Sequence, residues 1–367
     1  MPGPVIIGGG PAGAAAAIAL ARAGREVTLI ERHAAPADKV CGDFLSARAV
    51  AAVAALGIDL TPAAPITRLR LIHRRRIVAT RLPFAACGLS RRVLDEALLG
   101  RAQAAGATVL RGQRVGSVAP DRGGLRLDCS MHGRIVTDTV LLATGKHELP
   151  GAERASRGTG LVGMKMYYRL EAAQTELLRD HIELTLFADG YAGLQLVEAD
   201  RAVLCMLLPS ALVRGLAGDW NRLVESLADG CPHLAQRLSG GHAMLARPLA
   251  VSGLPYGFVH AAGERDLPGL YRVGDQAAVI PSLAGDGVAL ALASGSSAAR
   301  MWLAGAGSPD YHRQRAACVA TPMRVAAMLH RLCLDARVQP WLMAACAAWP
   351  GVLRLAAAAT RTGGADM

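Results

Sequence analysis

Lysine is almost missing from this 367-residue chain. Of its 40 basic residues only Lys39, Lys146 and Lys165 are lysines, and the rest are arginine. The formal net charge is +11, yet no dense basic run exists beyond Arg74-Arg75-Arg76. Scattered surface arginines are therefore expected rather than a nucleic-acid face. Metal-type cysteine spacing is also missing. Eight cysteines are spread along the chain, the closest pair being Cys333 and Cys346, so no CxxC and no zinc spacing exists. Scattered thiols in a chain of this size read as reduced and mostly buried, which fits a cytoplasmic protein and no metal. There is no long apolar run. The uncharged stretch Val338–Leu353 is interrupted by Pro340 and Pro350 and falls short of a membrane span. That rules out an integral segment and leaves peripheral membrane contact open. No Ser-His-Asp order, H-E-x-x-H or Walker loop occurs, so hydrolase and NTPase chemistry lack support.

The first 21 residues carry no charged side chain, as a secretory leader would. Against a leader, no Lys or Arg precedes the apolar stretch, and Gly8-Gly9-Gly10-Pro11 breaks it. Pro4–Ile7 reads as a buried strand, Ala14–Ala23 as a helix and Glu26–Ile30 as a second strand with Glu31 at its end. Gly8 to Gly13 matches G-x-G-x-x-G in that setting, with the acid at the distance a dinucleotide fingerprint requires. Gly8 permits the tight turn, Gly10 lets backbone approach a pyrophosphate, and Gly13 lets helix and strand pack. Pro11 and Ala12 open a helix whose N–H groups face the phosphates. Glu31 accepts hydrogen bonds from an adenosine ribose.

Val5 to Arg32 resembles the FAD-binding start of the superfamily of p-hydroxybenzoate-hydroxylase-like monooxygenases, geranylgeranyl reductases and flavin-dependent halogenases. Lys39-Val40-Cys41-Gly42-Asp43 is similar to the Lys-x-Cys-Gly segment of the reductase branch, which lies beside the flavin ring. Ser90-Arg91-Arg92-Val93-Leu94-Asp95 resembles the Arg-x-x-Leu-Asp helix, and Gly269–Asp275 the second FAD fingerprint, a strand ending in Gly274-Asp275. The resemblance implies FAD contacts from Arg32, Cys41, Gly42, Arg91, Val115, Gly274, Asp275, Gly285, Gly287 and Val288. Thr139–Gly145 resembles the crossover segment. Residues Gly285-Asp286-Gly287 open a small-residue helix whose N-terminus suits the negative charge of reduced flavin. Asp286 either caps that helix or is a surface carboxylate.

The implied fold is α/β: a Rossmann-like FAD-binding domain, a mixed β-sheet substrate domain and C-terminal helices. Residues 1–72, 88–150 and 259–305 would make the discontinuous FAD domain. Residues 73–87 and 151–258 would make the substrate domain, and 306–367 the helical segment. A second G-x-G-x-x-G, Gly158–Gly163, precedes an extended rather than a helical stretch and reads as entry to the second sheet. No separate NAD(P)H domain is then expected, so NAD(P)H would be a transient donor, or a flavin or NAD(P)H reductase a partner. A frayed tail is expected from Gly363.

Four tryptophans lie nowhere near a Trp-x-Trp-x-Ile-Pro segment, which argues against halogenation. Gly190-Tyr191-Ala192-Gly193 lacks the Trp and Phe of the polyprenyl-reductase strand. The resemblance then implies a monooxygenase acting through a flavin C4a-hydroperoxide on a hydrophobic, electron-rich, aromatic or polyketide-like small molecule of secondary metabolism. An ene reductase acting on a prenyl double bond is the rival, and a non-catalytic flavin-binding protein the third reading. Cys41 and Tyr191 are the catalytic candidates, with an inert thiol and a sheet aromatic as their alternatives. Lys146 and His147 offer phosphate contacts or face water, and His260 is expected to be an isolated structural histidine.

Overall fold

The computed structural model describes residues 3–155, 158–264 and 266–360. The expected tail from Gly363, and the Ser156-Arg157 end of the stretch before the second glycine motif, lie outside the described residues. The chain opens with β1 (Val5–Ile7), α1 (Pro11–Arg22) and β2 (Thr28–Glu31). It continues through β3 (Phe44–Leu45), α2 (Ala47–Ala55), β4 (Ala64–His73), β5 (Arg76–Gly88), α3 (Arg91–Ala104) and β6 (Thr108–Arg111). A meander of β7 (Val115–Asp121), β8 (Gly124–Cys129) and β9 (Gly133–Thr137) precedes β10 (Val140–Leu142). The middle holds β11 (Leu161–Arg169), α4 (Ala172–Leu178), β12 (Asp180–Phe187), β13 (Gly190–Leu196) and β14 (Ala202–Pro209). After these come α5 (Ser210–Gly215), α6 (Trp220–Gly230), α7 (Pro232–Leu238), β15 (His242–Ala243) and β16 (Leu249–Ser252). The chain returns as β17 (Leu270–Arg272) and α8 (Gly287–Leu303), then α9 (Ser308–Leu334), α10 (Gln339–Ala348) and α11 (Gly351–Ala359).

The first sheet runs β17-β10-β1-β2-β6, all parallel. Its strands are short and apolar because helices cover the sheet. α1 forms readily from a run of alanines with Pro11 at its first turn, and it buries nine of its residues. Together with α3 and α8 it fills one face with Ile6, Ile18, Leu20, Leu94, Leu98 and Leu292.

The second sheet runs β15-β11-β14-β13-β12-β4-β5-β3, with β16 also on β11. The sequence places its substrate-side hairpin at 73–87, but the sheet already takes in β4 from Ala64. Two helices, α5 and α6, carry the helical stretches that the sequence places near Leu212–Leu227. Away from the register shifts at Ile66–Arg68 and Asp180–His181, side chains alternate across this sheet. Met164, Met166, Ala192, Leu194, Leu204 and Met206 face α6 and α7, where Trp220, Leu223 and Leu234 close the core. Positions one residue away point to the other face. There Leu71, Val78, Leu186, Tyr191 and Leu207 meet Cys333, Met343, Cys346 and Leu353 of the C-terminal helices. The same alternation turns Lys165, Tyr167, Gln195 and Cys205 toward the nucleotide-binding half. A candidate site follows from this period-two pattern.

Candidate active site

The glycine turn after β1 has the geometry its residues dictate. Gly8 adopts φ +107°, and a Cβ on Gly13 would lie 1.9 Å from the Gly8 carbonyl oxygen, so helix and strand touch there. α1 has no side-chain cap and no acid in its first turn. The N–H groups of Ala12 and Gly13 have no acceptor among the described residues, which leaves a positive helix end open to an anion. Glu31 is buried, with Oε2 accepting from the Gly9 N–H (2.7 Å) and Oε1 from the His33 N–H (3.0 Å). Its remaining lone pairs can take ribose hydroxyls. Arg32 reaches His147 Nε2 at 2.8 Å, so His147 lies beside the end of β2. Val115 is buried with Val5, Ile7 and Ile30.

Arg91 stands beside the glycine turn, its Nη2 3.2 Å from where a Gly10 Cβ would sit. Asp95 fixes it through two bonds of 2.7 and 2.9 Å, and Lys39 adds a third to the same carboxylate at 2.8 Å. Burial pushes the Asp95 carboxyl up, but the Arg91 and Lys39 charges outweigh it and hold the group below its ordinary value. At the second fingerprint the Gly274 N–H donates to Ser294 Oγ at 2.7 Å, and Arg154 holds the Asp275 carbonyl at 2.9 Å. Asp275 is partly exposed. An uncapped helix, a Cβ-free cradle, a buried acid at the ribose position and a fixed arginine together suit FAD.

The Lys39–Asp43 segment is where all three lysines converge. Lys146 Nζ donates to the Val40 carbonyl (3.1 Å), and Lys165 Nζ to the Lys39 carbonyl (3.1 Å) and to Asp43 Oδ2 (2.6 Å). Lys146 thus braces this loop rather than facing water. Asp43 and Lys165 are both fully buried. Tyr167 donates to the same oxygen at 2.6 Å, Arg91 N–H donates to the other at 3.3 Å, and Gln195 holds the Asp43 carbonyl. Burial pushes the Asp43 carboxyl up, with Lys165 pulling the other way. Sequence reasoning missed this network. Its one signal was that a chain nearly free of lysine keeps one in a strand.

Cys41 is half-buried, and its Sγ accepts from the Asp43 N–H at 3.4 Å. Gly42 is exposed. Asp286 departs from both expectations. It occupies the N-cap position of α8 but makes no side-chain cap, and it is fully buried. Ser46, itself the cap of α2, donates to it at 2.6 Å, and Arg48 stands 4.0 Å away. A partner from another element outcompetes the local cap. The α8 N-terminus at Gly287 and Val288 therefore has no carboxylate cap. Gly285 packs against Phe44.

Tyr191 lies on the inner face of the second sheet, and its hydroxyl is 2.5 Å from Ser282 Oγ in the 281–287 loop. Tyr256 reaches the same Ser282 Oγ at 2.7 Å, and its ring meets His330 edge-on at 5.5 Å. Burial raises both phenols well above their ordinary value and lowers His330 to about 4, so all three are neutral near pH 7. Burial also pushes the Cys205 thiol up to about 12, which makes it an inert wall. Ser282, Tyr256 and His330 carried no sequence signal.

His260 is not isolated. Its Nε2 is 3.1 Å from Asp266, and His312 Nδ1 lies 3.7 Å from the same carboxylate. His312 Nε2, however, accepts the Arg272 N–H at 3.0 Å. A metal on Nδ1 would force a proton onto Nε2, facing that donor. The trio reads as structural.

Residues 4–140 match the FAD binding domain family. A menaquinone reductase of Mycolicibacterium smegmatis is 52% identical over 54 residues, 15% of this chain and 13% of that protein. The chain thus matches about an eighth of that relative's length. Among solved structures, the flavin-dependent brominase Bmp2 superposes with a TM-score of 0.79 at 16% identity, covering 99% of this chain and 95% of its own. PqsL, a probable FAD-dependent monooxygenase from Pseudomonas aeruginosa, gives 0.72 at 16% identity, covering 91% and 96%. Residues 4–140 are therefore similar to FAD binding domains, and the chain as a whole shares the fold of these solved flavoproteins.

Proposed function

We propose that this chain is an FAD-dependent oxidoreductase that hydroxylates a hydrophobic, electron-rich small molecule. The observation that carries the reading is the Tyr191–Ser282–Tyr256 line on an otherwise apolar floor of Leu186, Leu207 and Leu254. Three hydroxyls joined by two hydrogen bonds leave one proton to donate and free lone pairs to accept. That pattern orients a substrate hydroxyl without placing a charge beside it. The apolar wall excludes water and leaves few competing polar contacts. Gly8, Gly10, Ala12, Gly13, Glu31, Arg91, Asp275 and the N-terminus of α8 would hold FAD. Bound FAD would supply the redox chemistry, for which the balance is substrate, O2, NAD(P)H and one proton giving hydroxylated product, water and NAD(P)+. Cys41 would line the ring side of that site.

A second reading, reduction of a quinone or prenyl double bond, is favoured by the short match to a menaquinone reductase. The test is FAD reconstitution, followed by NADH and NADPH oxidation with phenols, quinols and polyprenyl compounds. Substrate-dependent oxygen uptake and a product carrying one added oxygen support hydroxylation. Undiminished anaerobic turnover that consumes a double bond or a quinone supports reduction instead. Failure to retain flavin overturns both.

A further inference from the structure

The C-terminal helices are apolar on a side that none of the described residues covers. α10 contains no charged residue. Its inner positions Met343 and Cys346 are buried against the second sheet, while Trp341, Ala344, Ala345 and Ala348 form an exposed stripe at helical spacing. Trp341 is 78% exposed, Trp349 62%, and Leu355 on α11 60%. Two tryptophans so placed are unusual in a chain with only four.

Around this stripe the charge is mostly positive. Arg324, Arg331, Arg337 and Arg354 are exposed, and Asp335 is the only acid from residue 320 to residue 360. The Arg74-Arg75-Arg76 run, with exposed Ile77, forms the tip of the β4–β5 hairpin, and α10 and α11 pack on those two strands. Among the described residues, none of these seven arginines makes an ion pair.

We infer that α10, α11 and the β4–β5 tip form a docking surface for an anionic phospholipid bilayer. Neither helix is long enough to span, and the pair is bent by 113°, so they lie along the interface. Tryptophan is the side chain that prefers the headgroup level, and arginine keeps its charge in the headgroups while its stem lies on apolar surface. Anionic lipid supplies the counter-charge these arginines lack among the described residues. This inference stands apart from the proposed reaction and is read without turnover.

The test is co-sedimentation of the full chain with vesicles of phosphatidylcholine, with and without 30% phosphatidylglycerol. Binding is expected to the anionic vesicles and to fall with added salt. Arg331→Gln with Arg354→Gln should weaken it roughly thirtyfold, taking about 1 kcal/mol per arginine. Trp341→Ala with Trp349→Ala should weaken it about tenfold or more, with unchanged circular dichroism. Equal binding to both vesicle types, or none, overturns the inference. A concentration-dependent dimer that the tryptophan variants dissolve overturns it as well, because a second copy then covers the stripe.

Discussion

Replacing Lys165 by methionine probes the buried pair at the heart of the candidate site. Methionine keeps much of the volume and deletes the ammonium. The Lys165 and Asp43 side chains are both fully buried and 2.6 Å apart, so no water is at hand to replace the lost charge. Asp43 retains Tyr167 and the Arg91 N–H, but its negative charge loses its counter-ion. The cheaper response is to take up a proton. From an ordinary value of 3.8, holding a carboxyl neutral at pH 7 costs up to about 4 kcal/mol, and at pH 5 about 2 kcal/mol. The sign follows from linkage. A carboxyl raised in the folded state costs nothing below its unfolded value and progressively more as pH rises. Urea unfolding at pH 5, 6 and 7, followed by circular dichroism and fluorescence, should show the penalty of Lys165→Met growing with pH, by up to about 1.4 kcal/mol per unit where Asp43 of the unchanged protein is ionised. Adding Asp43→Asn should recover most of it and remove its pH dependence. A Lys165→Met penalty under 1 kcal/mol at pH 7, or one independent of pH, would refute the reasoning.

Gly13→Ala should cost several kcal/mol and at least tenfold in FAD retention, because its Cβ would sit 1.9 Å from the Gly8 oxygen; flavin absorbance after desalting and thermal unfolding check this. Tyr191→Phe should leave FAD retention and thermal unfolding nearly unchanged and slow substrate turnover 10- to 100-fold, and equal turnover would remove Tyr191 from the site. Glu183 is buried among Arg70, His233 and Arg237; burial raises its carboxyl, but these partners hold it down to about 2. Its contribution of about 3 kcal/mol is then complete above pH 4.5 and lost as pH falls toward 2, so Glu183→Gln should flatten acid unfolding over that window. Dialysis against a chelator should leave thermal unfolding unshifted, since His312 is already committed to the Arg272 N–H.

What the sequence shows plainly is what short-range geometry dictates. Gly8 to Gly13 is readable because a tight turn, a close approach and a helix start all fall within six residues. The start of β11 is readable as an extended stretch because no helical pattern follows Gly163. What is not readable is pairing across the chain. Nothing local in Ala64–His73 says that it joins the second sheet, since its parallel partner is β12, more than a hundred residues on. The Asp43–Lys165 bond spans 122 positions and the Ser46–Asp286 bond 240. The capping expectation for Asp286 fails for that reason, a local rule yielding to a distant hydroxyl. The Tyr191–Ser282 contact is equally long-range, so Tyr191 was visible as a candidate but its partner was not.

The order in which strands enter the two large sheets has a mechanical consequence. The chain visits the parallel sheet, leaves for β3 to β5, returns for β6 and β10, leaves again for β11 to β16, and comes home at β17. Neither sheet is one excisable stretch of polypeptide. A break in the chain between β10 and β11 would nick the molecule without releasing a piece, because β4 stays zipped to β12 across it. Synthesis carries the same signature. The first half of the chain cannot complete either sheet until β12 and β17 have emerged, so assembly is late and concerted rather than one domain after another.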